Sequence, residues 1–164
     1  MNTAKKLDII NSHFRFELTE TDRVTHIKLI GIIDEDTDFS SLLNLKNSAI
    51  VFHFQEITSI NSCGIRTWVN FMKGLQGSAI EFAECPPLIV RQMNMVPSFS
   101  ESANISTVFL PYVCNDCEHE QNILMSVSDY KKGVLIPETM KCGQCDSEEM
   151  ELDGNAKQYF AFAK

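Results

Sequence analysis

The first part of the chain alternates between two spacings of apolar side chains. Runs with the two-residue period of a strand, rich in β-branched and aromatic residues, predict extended segments. These runs cover residues 14–18, Val24–Ile33, 49–55, Ala79–Ala83 and 105–113. The run at 49–55 is almost unbroken, which predicts a strand that is buried on both of its faces.

The segments between these strands have the spacing of amphipathic helices. Residues 39–45 predict a short helix after a polar turn at residues 34–38. A longer helix follows the third strand and ends near Gly74 and Gly77, and its apolar face consists of Ile65, Trp68, Val69, Met72 and Leu75. Pro87 begins another helix in a favourable first-turn position. The order ββαβαβαβ predicts an α/β fold, in which a mixed sheet has helices packed against it.

The pattern changes near residue 111, where we predict a boundary between two domains. Residues 1–110 form the α/β domain, and residues 111–164 form a small β module. The second segment shows no helical periodicity after Cys114, but Gly133 and Gly154 mark turns.

Four cysteines are the strongest chemical signal in the second segment. They form two Cys-x-x-Cys pairs, Cys114 with Cys117 and Cys142 with Cys145, with 24 residues between the pairs. Such a pair on a tight turn directs two sulfurs at one point, so two pairs can surround Zn²⁺ tetrahedrally. A segment this short buries little core, and metal binding supplies on the order of 10 kcal/mol of folding free energy. We therefore predict a structural Zn²⁺ site in a module that resembles a zinc ribbon.

Other interpretations of these cysteines remain open. A redox dithiol needs one Cys-x-x-Cys pair at the start of a helix, and neither pair has that context. Four thiolates leave no position for a substrate, which disfavours a catalytic metal. His119 is an alternative ligand close to Cys117, although a solvated histidine is the simpler interpretation. Glu118 and Asp146 follow the pairs at positions where zinc knuckles often have glycine.

Isolated polar residues elsewhere have simple structural interpretations. Cys63 and Cys85 have no partner at a metal-binding spacing, and both are predicted to be small buried residues. His53 is predicted to be a hydrogen-bonded histidine in the core or on a sheet face. The acidic residues 34–38 are predicted to form a solvated turn, because they lack the spacing and glycine of an EF-hand.

Charge and composition limit the classes of partner. The chain has 164 residues and a net charge of −8, which argues against electrostatic binding to nucleic acid or anionic membranes. The N-terminus lacks the apolar region of a signal peptide, and no apolar run reaches the roughly 18 residues that span a bilayer. We therefore expect a cytoplasmic protein without membrane insertion. In that compartment paired cysteines hold metal more often than they form structural disulfides.

The turn before the long helix carries a resemblance to a known family. A turn of small polar residues between a buried strand and an amphipathic helix, in this order of elements, resembles a STAS domain. That is the fold of anti-sigma factor antagonists and of the cytoplasmic tails of sulfate transporters. The family turn reads Asp-Ser-[Ser/Thr]-Gly-[apolar], and the matching residues are Asn61, Ser62, Cys63, Gly64 and Ile65. The run from Gly31 to Asp34 resembles the family's Gly-x-[apolar]-Asp, and the resemblance spans residues 12–110.

The resemblance implies a regulatory role for Ser62. In regulatory members of the family, a partner kinase that is also an anti-sigma factor phosphorylates the matching serine and thereby switches partner binding. A phosphate at a helix N-terminus is stabilised by backbone N–H groups, and it adds up to about two negative charges. The chain differs from the family at Asn61 and Cys63. Because Asn61 or Ser62 is also a favourable N-cap, Ser62 can be a phosphoacceptor or only part of a cap.

Three functions therefore remain for the chain. The first is a non-enzymatic regulator that binds a protein such as a serine kinase/anti-sigma factor around Ser62. The second is a constitutive STAS-like subunit of a larger assembly, such as an ATP-driven transporter, with an ATPase subunit as partner. The third is a thiol redox protein. The chain lacks the nucleotide-binding and nucleophile-elbow motifs, which favours a protein without enzymatic activity. The identity of the partner and the formation of a homodimer stay open.

Overall fold

A computed structural model describes residues 4–75 and 77–164, with side chains from Lys6 onwards. The first three residues of the predicted domain 1–110 lie outside the described residues, as does Gln76. The elements of the first half are β1 Ala4–Ile9, β2 Phe14–Glu20, β3 Val24–Ile33, β4 Ala49–Ile60, α1 Ser62–Gly74, β5 Ala79–Ala83, α2 Pro87–Met95 and β6 Ala103–Ile105. Those of the second half are β7 Thr107–Cys114, β8 Glu120–Ser126, α3 Val127–Lys131, β9 Thr139–Met140, β10 Met150–Leu152 and α4 Ala156–Tyr159.

The first six strands form one mixed sheet in the order β1-β2-β3-β4-β5-β6. Strands β1 to β3 pair antiparallel, whereas β3 to β6 pair parallel. Helices α1 and α2 provide the crossover connections between the parallel strands β4, β5 and β6. The short helix predicted at residues 39–45 is a 3-10 helix, Ser40–Asn44. The predicted α/β fold class, a mixed sheet with helices packed against it, is confirmed.

An aromatic cluster around Trp68 joins α1 to this sheet. Trp68 is fully buried, and its ring centroid lies 5.2 Å from that of Phe52 and 5.3 Å from that of Phe54. The indole N–H donates a hydrogen bond to the carbonyl oxygen of Phe99 at 3.1 Å. The one polar atom of this side chain is therefore satisfied, and α1 is held against β4.

Strand β4 buries only one of its faces. Phe52 and Phe54 are buried, whereas Val51 and His53 are half-buried and Gln55 is exposed. The prediction that this run is buried on both faces is therefore wrong. Successive side chains of a strand point to opposite sides of the sheet, and α1 covers only the side that carries the two phenylalanines.

The last four strands form a second, antiparallel sheet in the order β8-β7-β10-β9. The strand predicted at 105–113 is two strands, because β6 belongs to the first sheet and β7 to the second. The sheets change at Ser106, so the boundary predicted after residue 110 falls inside β7. The division into two domains stays a prediction, since buried residues of both sheets share one hydrophobic core.

Two short helices in the second half were not predicted. Helices α3 and α4 have five and four residues, which is too short for a periodic apolar pattern to be visible. Among the described residues, no helix is long and apolar enough to cross a membrane.

Candidate functional site

The turn at residues 61–65, where the sequence predicts a partner-binding surface, connects the end of β4 to the start of α1. Asn61 is the N-cap residue, and its side-chain oxygen accepts a hydrogen bond from the N–H of Gly64 at 2.8 Å. Ser62 is the first residue of α1, and the side chains of Asn61, Ser62 and Cys63 are exposed. The sequence predicts Asn61 or Ser62 as the N-cap, and Asn61 is the residue that caps α1. The hydroxyl of Ser62 lies on the surface beside it.

Gly64 brings the first turn of α1 directly against the end of β3. A Cβ atom on Gly64 would lie 2.2 Å from the carbonyl oxygen of Ile33 and 3.0 Å from the nitrogen of Asp34. The N–H of Asn61 donates to the same Ile33 oxygen at 3.2 Å. Because these neighbours are backbone atoms in a packed region, a larger residue would have to displace the chain. The turn is therefore fixed to β3.

Glu35 lies beside this turn, whereas the sequence predicts only that it belongs to a solvated acidic turn. The side-chain amide of Asn61 donates a hydrogen bond to a carboxylate oxygen of Glu35 at 2.7 Å. This bond, followed by one from a backbone N–H, lowers the pKa of the Glu35 carboxyl group. No local pattern links residues that are 26 positions apart. They meet because the parallel strands β3 and β4 end at the same edge of the sheet.

Glu35 belongs to the acidic loop at residues 34–38. Thr37 organises this loop and is only 4% exposed. Its hydroxyl accepts a hydrogen bond from the N–H of Asp34 at 3.0 Å and donates to the Asp34 carboxylate at 3.2 Å. The loop places several carboxylates at the edge of the sheet that carries Ser62. The turn that carries Ser62 therefore lies next to an acidic loop.

The four cysteines of the second sheet converge on one point. Cys114 ends β7 and Cys117 follows it, while Cys142 and Cys145 lie between β9 and β10. All four are free thiols. The sulfurs of Cys114 and Cys145 are 3.5 Å apart, those of Cys117 and Cys142 are 3.7 Å apart, and all four lie within 4.8 Å of one another. Tetrahedral Zn–S bonds of about 2.3 Å would separate the sulfurs by about 3.8 Å. The four sulfurs can therefore hold one metal ion.

The two Cys-x-x-Cys turns have the same backbone geometry. In each turn the N–H of the first cysteine donates to the carbonyl five positions later, at 2.9 Å for Cys114 and 2.7 Å for Cys142. The residues after the second cysteines, Glu118 and Asp146, have φ angles of 57° and 59°. This is the left-handed region that glycine occupies most readily. The position at which zinc knuckles often have glycine is thus left-handed here too.

Backbone N–H groups polarise the sulfurs of this cluster. The N–H groups of Cys145 and Gln144 lower the pKa of the Cys142 thiol to about 6. The N–H of His119 favours the thiolate of Cys117, but burial and the three neighbouring thiols raise the pKa of Cys117 to about 12. Four thiolates at these separations repel one another. A bound divalent cation removes that repulsion.

The remaining cysteines and His119 lie outside the metal-binding cluster. Among the described residues, the group of metal-ligating atoms contains the four cysteine sulfurs and not His119. Cys85 is fully buried, as predicted, and burial raises the pKa of its thiol. The prediction that Cys63 is buried is wrong, since it lies on the exposed side of the first turn of α1.

No protein-family model matches the chain, and no curated protein matches its sequence. The solved structures that match include the anti-sigma factor antagonist SpoIIAA in its unphosphorylated form. This similarity covers 81% of this chain and 100% of the SpoIIAA chain, with 12% sequence identity and a TM-score of 0.36.

Proposed function

We propose that the chain is a non-enzymatic regulator that binds a protein partner through the surface around Ser62. In this proposal, phosphorylation of Ser62 releases the partner. One observation carries it: Ser62 is an exposed residue at the first position of α1, on the turn that resembles the STAS phosphorylation turn. By that resemblance, the partner is a serine kinase/anti-sigma factor-like protein in a cytoplasmic switch.

The physical effect of a phosphate at this position is electrostatic. The first turn of a helix presents backbone N–H groups that stabilise an anion. The phosphate would also add up to about two negative charges next to Asn61, which is hydrogen-bonded to the Glu35 carboxylate. A partner that docks on Ser62 would have to desolvate these charges, which weakens its binding.

For the four cysteines we propose a structural Zn²⁺ ion. Four sulfur donors in a tetrahedral arrangement favour zinc or iron, and closed four-sulfur zinc sites are structural. The ion would supply folding free energy to the second sheet. Cys114 and Cys117 would hold it from the end of β7, and Cys142 and Cys145 from the loop between β9 and β10.

A second candidate function is a constitutive subunit of a larger assembly, such as an ATP-driven transporter. It is favoured by the contacts of Asn61 and Gly64, which are sufficient to explain the turn as a helix cap packed on β3. In that case Ser62 lies in an interface with an ATPase subunit and is not modified. A thiol redox function has the least support, because each Cys-x-x-Cys pair lies on a turn and not at the start of a long helix.

The deciding experiment is a quantitative pull-down with Ser62→Ala and Ser62→Asp variants of the whole chain. We expect Ser62→Ala to recover the partner like wild type, and Ser62→Asp to recover at least about ten-fold less, because it adds one negative charge to the docking surface. Ser59→Asp is the matched control, because it adds the same charge at another exposed residue just before the turn. Equal recovery by both Ser62 variants would rule out the switch. Recovery of transporter ATPase subunits by all variants would establish the second function.

A further inference from the structure

Strand β1 forms one edge of the first sheet and exposes two apolar side chains there. In the described part of the chain, β1 pairs with β2 alone. Leu7 is 50% exposed and Ile9 is 70% exposed. They lie opposite Glu17 and Arg15, so both are on the side of the sheet that faces away from the buried side chains of β2. The strand shares no residue with the Ser62 turn or with the four cysteines.

Two opposite charges lie on the other side of β1. Lys6 is paired with Leu18 of β2, and Asp8 is paired with Phe16. The Lys6 ammonium lies 2.9 Å from the Asp8 carboxylate, and these side chains are 67% and 25% exposed. A lysine on an edge strand commonly discourages pairing with another chain. Here Asp8 compensates the charge of Lys6 within the same strand, which removes that obstacle.

The backbone direction of β1 shows which residues can pair at this edge. Directly after the strand, the N–H of Ile10 donates to the carbonyl oxygen of Phe14 at 3.2 Å. Every second residue of an antiparallel strand directs its N–H and C=O to the same neighbour. Residues 6 and 8 therefore face β2, and residues 5, 7 and 9 direct their N–H and C=O to the free edge. Such a row of backbone groups is a template for another strand.

The charges of β1 select one register for pairing with a second copy of the same strand. Since residues 5, 7 and 9 carry the outward backbone groups, a two-fold axis near the middle of the strand can pass through residue 6, 7 or 8. An axis at Lys6 places two lysines directly opposite each other, and an axis at Asp8 does the same with two aspartates, which is destabilising. An axis at Leu7 instead places Lys6 of each copy opposite Asp8 of the other.

We propose that two copies of the chain associate through antiparallel pairing of β1, with the two-fold axis at Leu7. Residues 5, 7 and 9 of the two copies exchange about six backbone hydrogen bonds. The two Leu7 side chains meet at the axis, and Ile9 of each copy lies diagonally across from Leu7 of the other, within reach of long side chains. The four apolar side chains thereby cover one another. The first sheets of the two copies join into one continuous sheet.

The size of this contact predicts reversible association. Interfaces that bury less than about 1,200 Å² in total are weak and transient, and one short strand from each copy belongs to that class. Because the pairing is isologous, it closes after two copies and does not extend into a filament. We therefore expect an equilibrium between monomer and dimer that shifts with protein concentration.

The test is sedimentation equilibrium of the whole chain at several concentrations, with a reductant that prevents disulfide bonds through the exposed Cys63. We expect the wild-type mass to rise from monomer towards dimer. Lys6→Glu and Asp8→Lys should each weaken association at least about ten-fold, because each places like charges opposite each other twice in the dimer. Lys46→Glu is the matched control, since it makes the same charge change at an exposed lysine outside β1 and should leave association unchanged.

Mixing the two variants separates contact between copies from effects within one copy. With the axis at Leu7, the acidic strand of Lys6→Glu faces the basic strand of Asp8→Lys, and every facing charge pair is again of opposite sign. We expect the equimolar mixture to associate at least about ten-fold more tightly than either variant alone. Neither variant regains an ion pair within its own strand, so this recovery comes from contact between copies.

Three results would overturn the proposal. They are a wild-type chain that stays monomeric at every concentration, a Lys6→Glu variant that associates like wild type, and a mixture that associates no more tightly than its separate components. Circular dichroism spectra that match wild type establish that each variant is folded. We expect such spectra, because an exposed ion pair contributes little to the stability of a fold.

Discussion

Asn61 and Glu35 are joined by a 2.7 Å hydrogen bond between the side-chain amide and the carboxylate. The oxygen of the same amide caps α1 by accepting from the N–H of Gly64. The side chain of Asn61 therefore caps the helix with its oxygen and holds a carboxylate of the neighbouring loop with its nitrogen. Negative charge thus lies next to the residue that precedes Ser62.

Replacing Asn61 should weaken the start of α1. We expect Asn61→Ala to lower the free energy of unfolding by about 1 kcal/mol, because an N-cap hydrogen bond is lost. Urea unfolding can be followed by the fluorescence of Trp68, the one tryptophan of the chain. Asn70→Ala, at an exposed position inside α1, is the control and should cause no loss, since alanine has the higher helix propensity. An equal loss in both variants would contradict the cap.

The same amide should control the acidity of Glu35. The hydrogen bond from Asn61 is the largest cause of the lowered pKa of Glu35, so in Asn61→Ala this pKa should rise towards its ordinary value. A carboxyl group with a lower pKa in the folded state stabilises the fold above its unfolded pKa, near 4.3. That contribution is lost as the pH falls through the folded-state pKa. Carbon-13 NMR titration of Glu35 measures the effect. An unchanged pKa of Glu35 in Asn61→Ala would contradict this prediction. Asn70→Ala is again the control.

Gly64 should tolerate no side chain. A methyl group there would meet the carbonyl oxygen of Ile33 at 2.2 Å, and we expect Gly64→Ala to cost about 2 kcal/mol or more of unfolding free energy. Gly74→Ala is the control from the same helix, because its Cβ would meet a methyl group of Leu43 at 2.7 Å. That side chain is 45% exposed and can move away. Urea unfolding measures the free energy of unfolding of both variants. An equal loss in the two variants would contradict a steric conflict between residue 64 and β3.

Removing one cysteine of the cluster should remove the metal. Cys142 is fully buried, and we expect Cys142→Ser to reduce bound zinc at this site from one equivalent to near zero. Loss of a structural metal should lower the free energy of unfolding by about 4 kcal/mol or more. Elemental analysis and thermal unfolding with and without a chelator measure both effects. The control is Cys63→Ser, since Cys63 is exposed and outside the cluster. Full zinc content in Cys142→Ser would contradict the site.

Long, regular elements could be predicted from the sequence, and short or exposed ones could not. Strands β3 and β5 agree with their predicted bounds, since side chains alternate between buried and more exposed positions over residues 24–29 and 79–82. Strand β1 was missed, and two of its apolar side chains are not buried: Leu7 is 50% exposed and Ile9 is 70% exposed. A strand at the edge of the sheet that does not bury its apolar residues gives no alternating pattern to recognise.

The candidate sites divide in the same way. The cysteine cluster could be predicted, because each Cys-x-x-Cys turn is a local structure and its spacing is visible in the sequence. The contact of Glu35 with Asn61 depends on the register between β3 and β4. A shift of one residue would turn every side chain of the shifted strand to the other side of the sheet. Such contacts are determined by the pairing of distant strands, which no short motif encodes.

The close approach of Gly64 to Ile33 has a consequence for any signal that passes through this turn. The first turn of α1 has no free space on the side of β3 into which it could shift. A charge added at Ser62 would therefore change what a partner encounters while the path of the chain stays the same. Information at this surface would be read as charge and shape by another molecule, and would not be transmitted as movement inside this one.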